Sequence, residues 1–424
     1  MTATDAGTGT RPQIPLLLGA VFLIYLGQMT LNPIIAPLAR EVGLAEWQIG
    51  VTISTAAVMV VLTSQVWGRR SQSWGRKPVL VAAFGLAAVT MALFALLAWF
   101  GMRGMLGGGV LFVLFVLLRG IGFGTAIAAV PPTAQAYIAD VTTDEPTRVK
   151  GMAGVGAVQG IAMVGGAVLG GVLAAIGLIV PLVAVPVLLA VGLVLLGTKL
   201  RRESRTELIE QPARVSPFDR RVWPFLVAGF GMFTALGFVQ VITGFLVQDR
   251  LGVDTRTAGV LTGGALLAAG VGMVLAQAVV VPRTGWSPQI LLRVGGLVAL
   301  AGFAVLIPDA GAVPLFVAML LIGLGLGIAM PGYTAGPSLL VRREEQGGLA
   351  GLIGATSGLT FVIAPTLGTA LYGVWPPLPV MVGTGVMAVV AVFVLVHPRF
   401  RRMPDVPAAA VAPAAEAQPG PSAG

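Results

Sequence analysis

Apolar runs of about twenty residues, each closed by a short polar break, recur from Ile14 to Val396 and dominate the pattern of the chain. A hydrocarbon core about 30 Å thick needs about 20 residues of helix to cross it. Read on that basis, the sequence predicts twelve membrane-spanning helices, at 14–36, 48–67, 79–100, 108–136, 151–176, 178–198, 223–247, 257–281, 290–307, 313–334, 349–372 and 378–396. The apolar–polar alternation of a transmembrane strand is absent, which excludes a β-barrel. The run beginning at Ile14 is too long for the apolar core of a usual signal peptide, so it is expected to be retained as a helix. Ala36-Pro37-Leu38-Ala39 only imitates a cleavage site.

The breaks organise the spans. The longest, 199–222, carries seven cations against four carboxylates and separates six spans from six. The expected domains are therefore an N-terminal segment 1–13, a six-helix bundle 14–198, a linker 199–222, a second bundle 223–396 and a tail 397–424. That tail is Ala/Pro-rich after Arg402 and is expected to be disordered. Between the second and third spans lies a polar loop, Trp67 to Pro78, with four cations at Arg69, Arg70, Arg76 and Lys77. With twelve spans both termini share a side with this loop and the linker. Of the 26 cations, Arg40, Arg103, Arg250 and Arg256 fall on the opposite side, Arg119 lies inside a span, and the remainder fall on the terminal side. The positive-inside rule then makes both termini cytoplasmic in an inner or plasma membrane.

Composition narrows the function. Of 424 residues, 56% are hydrophobic and 10% charged, at a mean hydropathy of +0.94, where a soluble domain carries about 25% charged residues. The net charge of +9 comes from loops alternating with apolar helices, which excludes nucleic acid as a partner. With no Cys and one His, disulfides, thiol catalysis and most transition-metal sites are excluded, and neither cofactor nor metal is expected. No His cluster, nucleophile elbow or paired intramembrane acid points to an enzyme. Gly107-Gly108-Gly109 is not followed by Gly-Lys-Ser/Thr, so an ATP-driven pump is not indicated.

The two sets of six spans resemble each other. Leu117-Leu118-Arg119-Gly120-Ile121-Gly122-Phe123-Gly124 matches Leu320-Leu321-Ile322-Gly323-Leu324-Gly325-Leu326-Gly327 in glycine register. Gly160 and Gly166-Ala167-Val168-Leu169-Gly170-Gly171 answer Gly358 and Ala364-Pro365-Thr366-Leu367-Gly368-Thr369. A duplicated six-helix unit is the signature of a transporter, in which two similar bundles rock about a central site.

Several stretches resemble the major facilitator superfamily. Gly68, Gly75, Arg76 and Lys77 match its loop signature between helices two and three, with Gln72 where the family usually has Asp and Ser73 where it usually has Arg. Arg119 with Gly122 and Gly124 is similar to its fourth-helix motif, and Ala136-Tyr137-Ile138-Ala139-Asp140 followed by Arg148 is a third likeness. Gly166, Ala167, Gly170 and Gly171 resemble the fifth-helix antiporter motif of the drug-efflux branch, with Ala167 in place of Pro. The resemblance implies an all-α fold of two pseudo-symmetric six-helix bundles. It also implies secondary transport by alternating access, with protons as coupling ion and efflux of a small amphipathic compound, as in multidrug resistance. In the family the loop latches the cytoplasmic side. The charge part of that latch is weakened by Gln72, whose amide can still hydrogen-bond.

Arg119 sits roughly 13 Å below the outer boundary, near the middle of the hydrocarbon. A centred Arg costs about 2.5 to 3.5 kcal/mol even on the lenient insertion scale, so it should face a cavity or a partner. Bracing of the bundle is the alternative to a transport role. All 17 carboxylates lie in loops, tails or helix ends, which leaves Asp140 as the candidate for proton coupling, or Arg119 acting through water. A deep Arg without a deep acid favours neutral or anionic amphiphiles over strong cations. The family's cavity is lined by helices one, four, seven and ten, which makes Tyr25, Gln28, Asn32, Gln135, Gln240 and Tyr333 candidates for substrate contact. Interfacial anchoring or helix packing is the alternative for each. Two other functions stay open: an uptake permease of the same fold, or a transport-inactive receptor, which Gln72 and the missing core acid would suit.

Overall fold

Apolar sequence in hydrocarbon satisfies its backbone internally, and a helix does this within one segment. The computed structural model describes residues 13–31, 34–204, 208–253 and 255–401. Asn32, Asp254, Arg205, most of the N-terminal segment and the tail with its expected disorder lie outside the described residues. Among the described residues are twelve helices long and apolar enough to span a membrane and no strand. We label them α1 (Ile14–Leu31), α2 (Glu46–Trp74), α3 (Arg76–Met102), α4 (Gly108–Val141), α5 (Glu145–Ile176), α6 (Ile179–Lys199), α7 (Trp223–Leu251) and α8 (Thr255–Leu275, prolonged by Ala276–Val280 and Val281–Thr284). The last four are α9 (Pro288–Leu306), α10 (Ala312–Ser338), α11 (Gln346–Val374) and α12 (Leu378–Val396).

Several ends depart from the hydropathy reading. The expected polar loop at 67–78 is almost entirely helical: α2 runs to Trp74 and α3 begins at Arg76, so Gly75 alone makes the turn. Hydropathy marks where a chain leaves hydrocarbon, whereas the helix continues as long as its polar residues tolerate helical backbone. The same holds for α5, which starts at Glu145 rather than 151, and for α10, which ends at Ser338 rather than 334. Gly75 has φ +93°, a conformation that favours glycine.

The helices build two pseudo-symmetric six-helix bundles. One buried core is drawn mainly from residues before 201, around Leu17, Phe84, Phe115 and Phe123. The other is drawn from residues after 214, around Phe225, Phe303, Met387 and Tyr333. Large apolar residues such as Leu62, Val89, Val168, Val194 and Val389 remain exposed on the outside, where a bilayer covers them. Between the halves, α2 packs on α11, α5 on α8 and α10, and α4 on α11. Gln13 at the start of α1 hydrogen-bonds the Lys199 carbonyl, and Arg399 beyond α12 donates to the Arg220 carbonyl. Both ends of the twelve-helix body therefore meet the linker on one side, called here the linker side.

Candidate functional site

On the linker side, α2 and α11 cross at backbone contact. Gly347, Gly351, Gly354 and Gly358 recur at helical spacing along one face of α11. A Cβ on Gly68 would land on the Gly347 carbonyl oxygen, and one on Gly347 would land on that of Gly68. Added at Gly351 it would strike Gln65 and Ser64, and at Gly358 it would press on Val60 and Val61. Small residues thus let the two halves close along a strip of α11 from Gly347 to Gly358.

Gln72 is fully buried in this contact. Its Oε1 accepts from the Gly347 amide at 3.0 Å, and its Nε2 donates to the Arg343 carbonyl at 2.7 Å. The amide thereby satisfies one of the free N–H groups in the first turn of α11. The linker threads the same seam. Ile209 N donates to the Gln72 carbonyl at 3.1 Å and Ala213 N to the Glu344 carbonyl at 2.9 Å, while Gln65 Nε2 reaches the Val215 carbonyl at 2.9 Å. Arg148, at the start of α5, adds a crossing bond to the Ser338 carbonyl at 2.9 Å, an oxygen that also accepts from Gln346 at 2.8 Å.

Arg76 is buried beside Asp140 and Glu203. It forms an ion pair with Asp140 at the end of α4, and its Nη1 lies 3.0 Å from Glu203 Oε1. Glu203 Oε2 also accepts from the Arg76 backbone amide at 2.6 Å, which caps α3. One oxygen of Asp140 and the Nε of Arg76 have no hydrogen-bond partner. Glu203 is a site residue that sequence reasoning missed, because it lies in the linker with no periodic signal tying it to residue 76. Lys77 is half-buried beside this cluster.

Arg119 is 3% exposed and lies in a wide, π-type turn at Val116–Gly122 of α4. Its guanidinium carbon sits 4.9 Å from the centre of the Phe123 ring, and its Nε has no hydrogen-bond partner. Wide turns of this kind often mark functional positions in helices. Small residues make the setting possible: a Cβ on Gly122 would strike Thr90, and one on Gly124 would strike Ala56.

The remaining candidates separate. Tyr25 and Gln28 are half-buried on α1, with the Tyr25 hydroxyl beside Gln159. Gln240 is half-buried on α7. Gln135 lines a small void between the halves with Thr334, Ser338 and Gln346. Tyr333 is fully buried in the second core, its ring against Gly229 and edge-on to Phe233. Of the fifth-helix motif, Gly166 and Gly170 pack on Met29 and Thr30 of α1, whereas nothing lies within 4 Å of a Cβ added at Gly171, and Ala167 is exposed.

Twelve spans in two like bundles, meeting face to face along glycine-rich crossings and strapped by a polar linker, define a multi-pass membrane transporter. The sequence matches the Major Facilitator Superfamily over residues 17–353, and the chain belongs to that superfamily. It is similar to the class C tetracycline resistance protein of Escherichia coli, with 29% identity over 405 residues covering 91% of this chain and 96% of the relative. To multidrug resistance protein 1 of Bacillus subtilis (strain 168) it is 24% identical over 388 residues, covering 89% and 94%. Among solved structures, its fold is similar to that of FucP, a Major Facilitator Superfamily transporter in the outward conformation. The TM-score is 0.71 at 14% identity, covering 92% of this chain and 99% of FucP.

Proposed function

We propose that the protein exports a small amphipathic compound by alternating access, coupled to proton entry, with its linker and both termini in the cytoplasm. The observation that carries this reading is its likeness, over nine-tenths of the chain, to a protein named for tetracycline resistance. The cation-rich linker side is the cytoplasmic one by the positive-inside rule. The closed α2–α11 crossing then makes this conformation shut to the cytoplasm. Asp140, paired with Arg76 but with one oxygen free of partners, is the residue assigned to proton exchange. Arg119, buried without a carboxylate partner, is assigned to the substrate path and favours neutral or anionic compounds over strong cations.

The test is accumulation of tetracycline in a susceptible host with and without expression, before and after an uncoupler. Lower accumulation that the uncoupler reverses is expected. Lower accumulation that survives the uncoupler removes proton coupling, and raised accumulation replaces export with an uptake permease.

A further inference from the structure

Gln277 is the polar side chain least accounted for by the fold. It is 2% exposed, and neither its Oε1 nor its Nε2 has a hydrogen-bond partner. It lies in the second wide turn of the molecule, Ala276–Val280 of α8, and its amide rests directly on Gly156 of α5, where an added Cβ would collide with it. The contact on either side is apolar and small: Gly160 meets Val274, and Gly270 meets Val164. Gln277 is seven residues from the linker-side end of α8 at Thr284, so it sits about 10 Å inside the linker-side surface.

A buried amide with neither group bonded destabilises whatever state buries it, because water had satisfied both groups before. Gly156 of the partner half closes directly over the amide, while the same stretch of α8 also packs on α10 of its own half, so the share of the cost that Gly156 imposes attaches to the closed linker side and not to the fold of either bundle. When α5 and α8 part, water entering from the linker side reaches the amide and removes the cost. We propose that Gln277 is a positioning residue for transport, which keeps the α5–α8 contact from closing too firmly and so sets the fraction of molecules open on the linker side. This rests on the alternating-access reading.

The chain has no cysteine, so two can be introduced without background. Lys150→Cys on α5 and Thr284→Cys on α8 are exposed at the linker-side ends of the two helices, and spin labels there report their separation in nanodiscs. In the parent, a short and a long distance are expected, with their ratio responding to tetracycline. Gln277→Leu should cut the open-to-closed ratio about tenfold, which is about 1.4 kcal/mol, and Gln277→Glu should raise it. A role limited to packing would move both variants in the same direction, so that result, or an unchanged ratio in both, overturns the proposal while leaving alternating access standing. A parent with one distance that tetracycline does not alter would overturn both.

Discussion

Gln72 and Gly347, 275 positions apart in the chain, are joined by a hydrogen bond of 3.0 Å in which the side-chain oxygen of one half caps the first turn of a helix in the other. An uncharged acceptor fills this place, and the amide's second arm adds a donor to Arg343 that a carboxylate lacks. The closure on this side therefore rests on hydrogen bonds and glycine contacts rather than on an ion pair at this point.

Replacing Gln72 with Ala removes both crossing bonds and leaves the Gly347 amide unpaired. The expected effect is a shift of about 1–3 kcal/mol toward the open linker side. Thiol labelling of Ser64→Cys, a position 1% exposed in the seam, should accelerate in that background. Equal labelling rates in the two backgrounds would remove Gln72 from the closure.

The glycines divide into two groups by what surrounds them. Gly68→Ala places a methyl on the Gly347 carbonyl, and Gly170→Ala places one on the Thr30 carbonyl. The first crowds a contact between halves and should impair transport with little change in melting temperature. The second crowds α1 against α5 within one half and should lower stability by about 1–3 kcal/mol. Gly171→Ala meets open space and should alter neither. Thermal unfolding in detergent beside transport in vesicles separates the three.

Much of this was legible from the pattern of residues, and the limits have physical causes. Apolar runs placed every span, since hydrocarbon thickness dictates their length. They misplaced the ends at Trp74 and Arg76 because a helix outlasts the bilayer. Arg119 stood out because an unpaired charge in hydrocarbon is rare, and Gln72 because it interrupts a resemblance. Glu203, Gln277 and the strap at Ile209–Val215 carried no such signal. Their importance lies in contacts made across the linker or between halves, and a single sequence with no periodic mark there does not encode them legibly. The spacing of Gly347, Gly351, Gly354 and Gly358 was present to be read as a crossing face.

At the end of the linker, Arg221 grips Asp219 at 2.8 Å and, across to the start of α11, Glu345 at 2.8 Å. Hydrogen bonds from the Arg221 guanidinium hold the Asp219 carboxyl below the usual carboxylate range. With the folded value below the unfolded one, the contribution is complete above the unfolded value of about 3.9 and is lost as pH falls through the folded value. Both side chains are partly exposed, so the pair is worth under about 1 kcal/mol. Arg221→Ala should lower the melting temperature slightly at neutral pH, with the difference from the parent shrinking below about pH 4. A difference that does not change with pH would show that Arg221 acts by packing alone.

Arg119 offers the sharpest separation of function from fold. A residue that braces a bundle is held by hydrogen bonds, and its loss leaves carbonyls unsatisfied. Arg119 instead has an unpartnered Nε and lies over an aromatic face. Removing it therefore takes away a buried charge that costs about 2.5 to 3.5 kcal/mol to insert, and Arg119→Ala should insert and melt no lower than the parent. Substrate flux should nevertheless be abolished, and Arg119→Lys should restore only part of it, because an ammonium keeps the charge but not the planar face stacked on Phe123. Tetracycline flux in reconstituted vesicles, measured beside thermal unfolding of the same preparations, decides the matter. Normal flux in Arg119→Ala would remove the residue from the transport path, and a large drop in melting temperature would return it to the role of a brace.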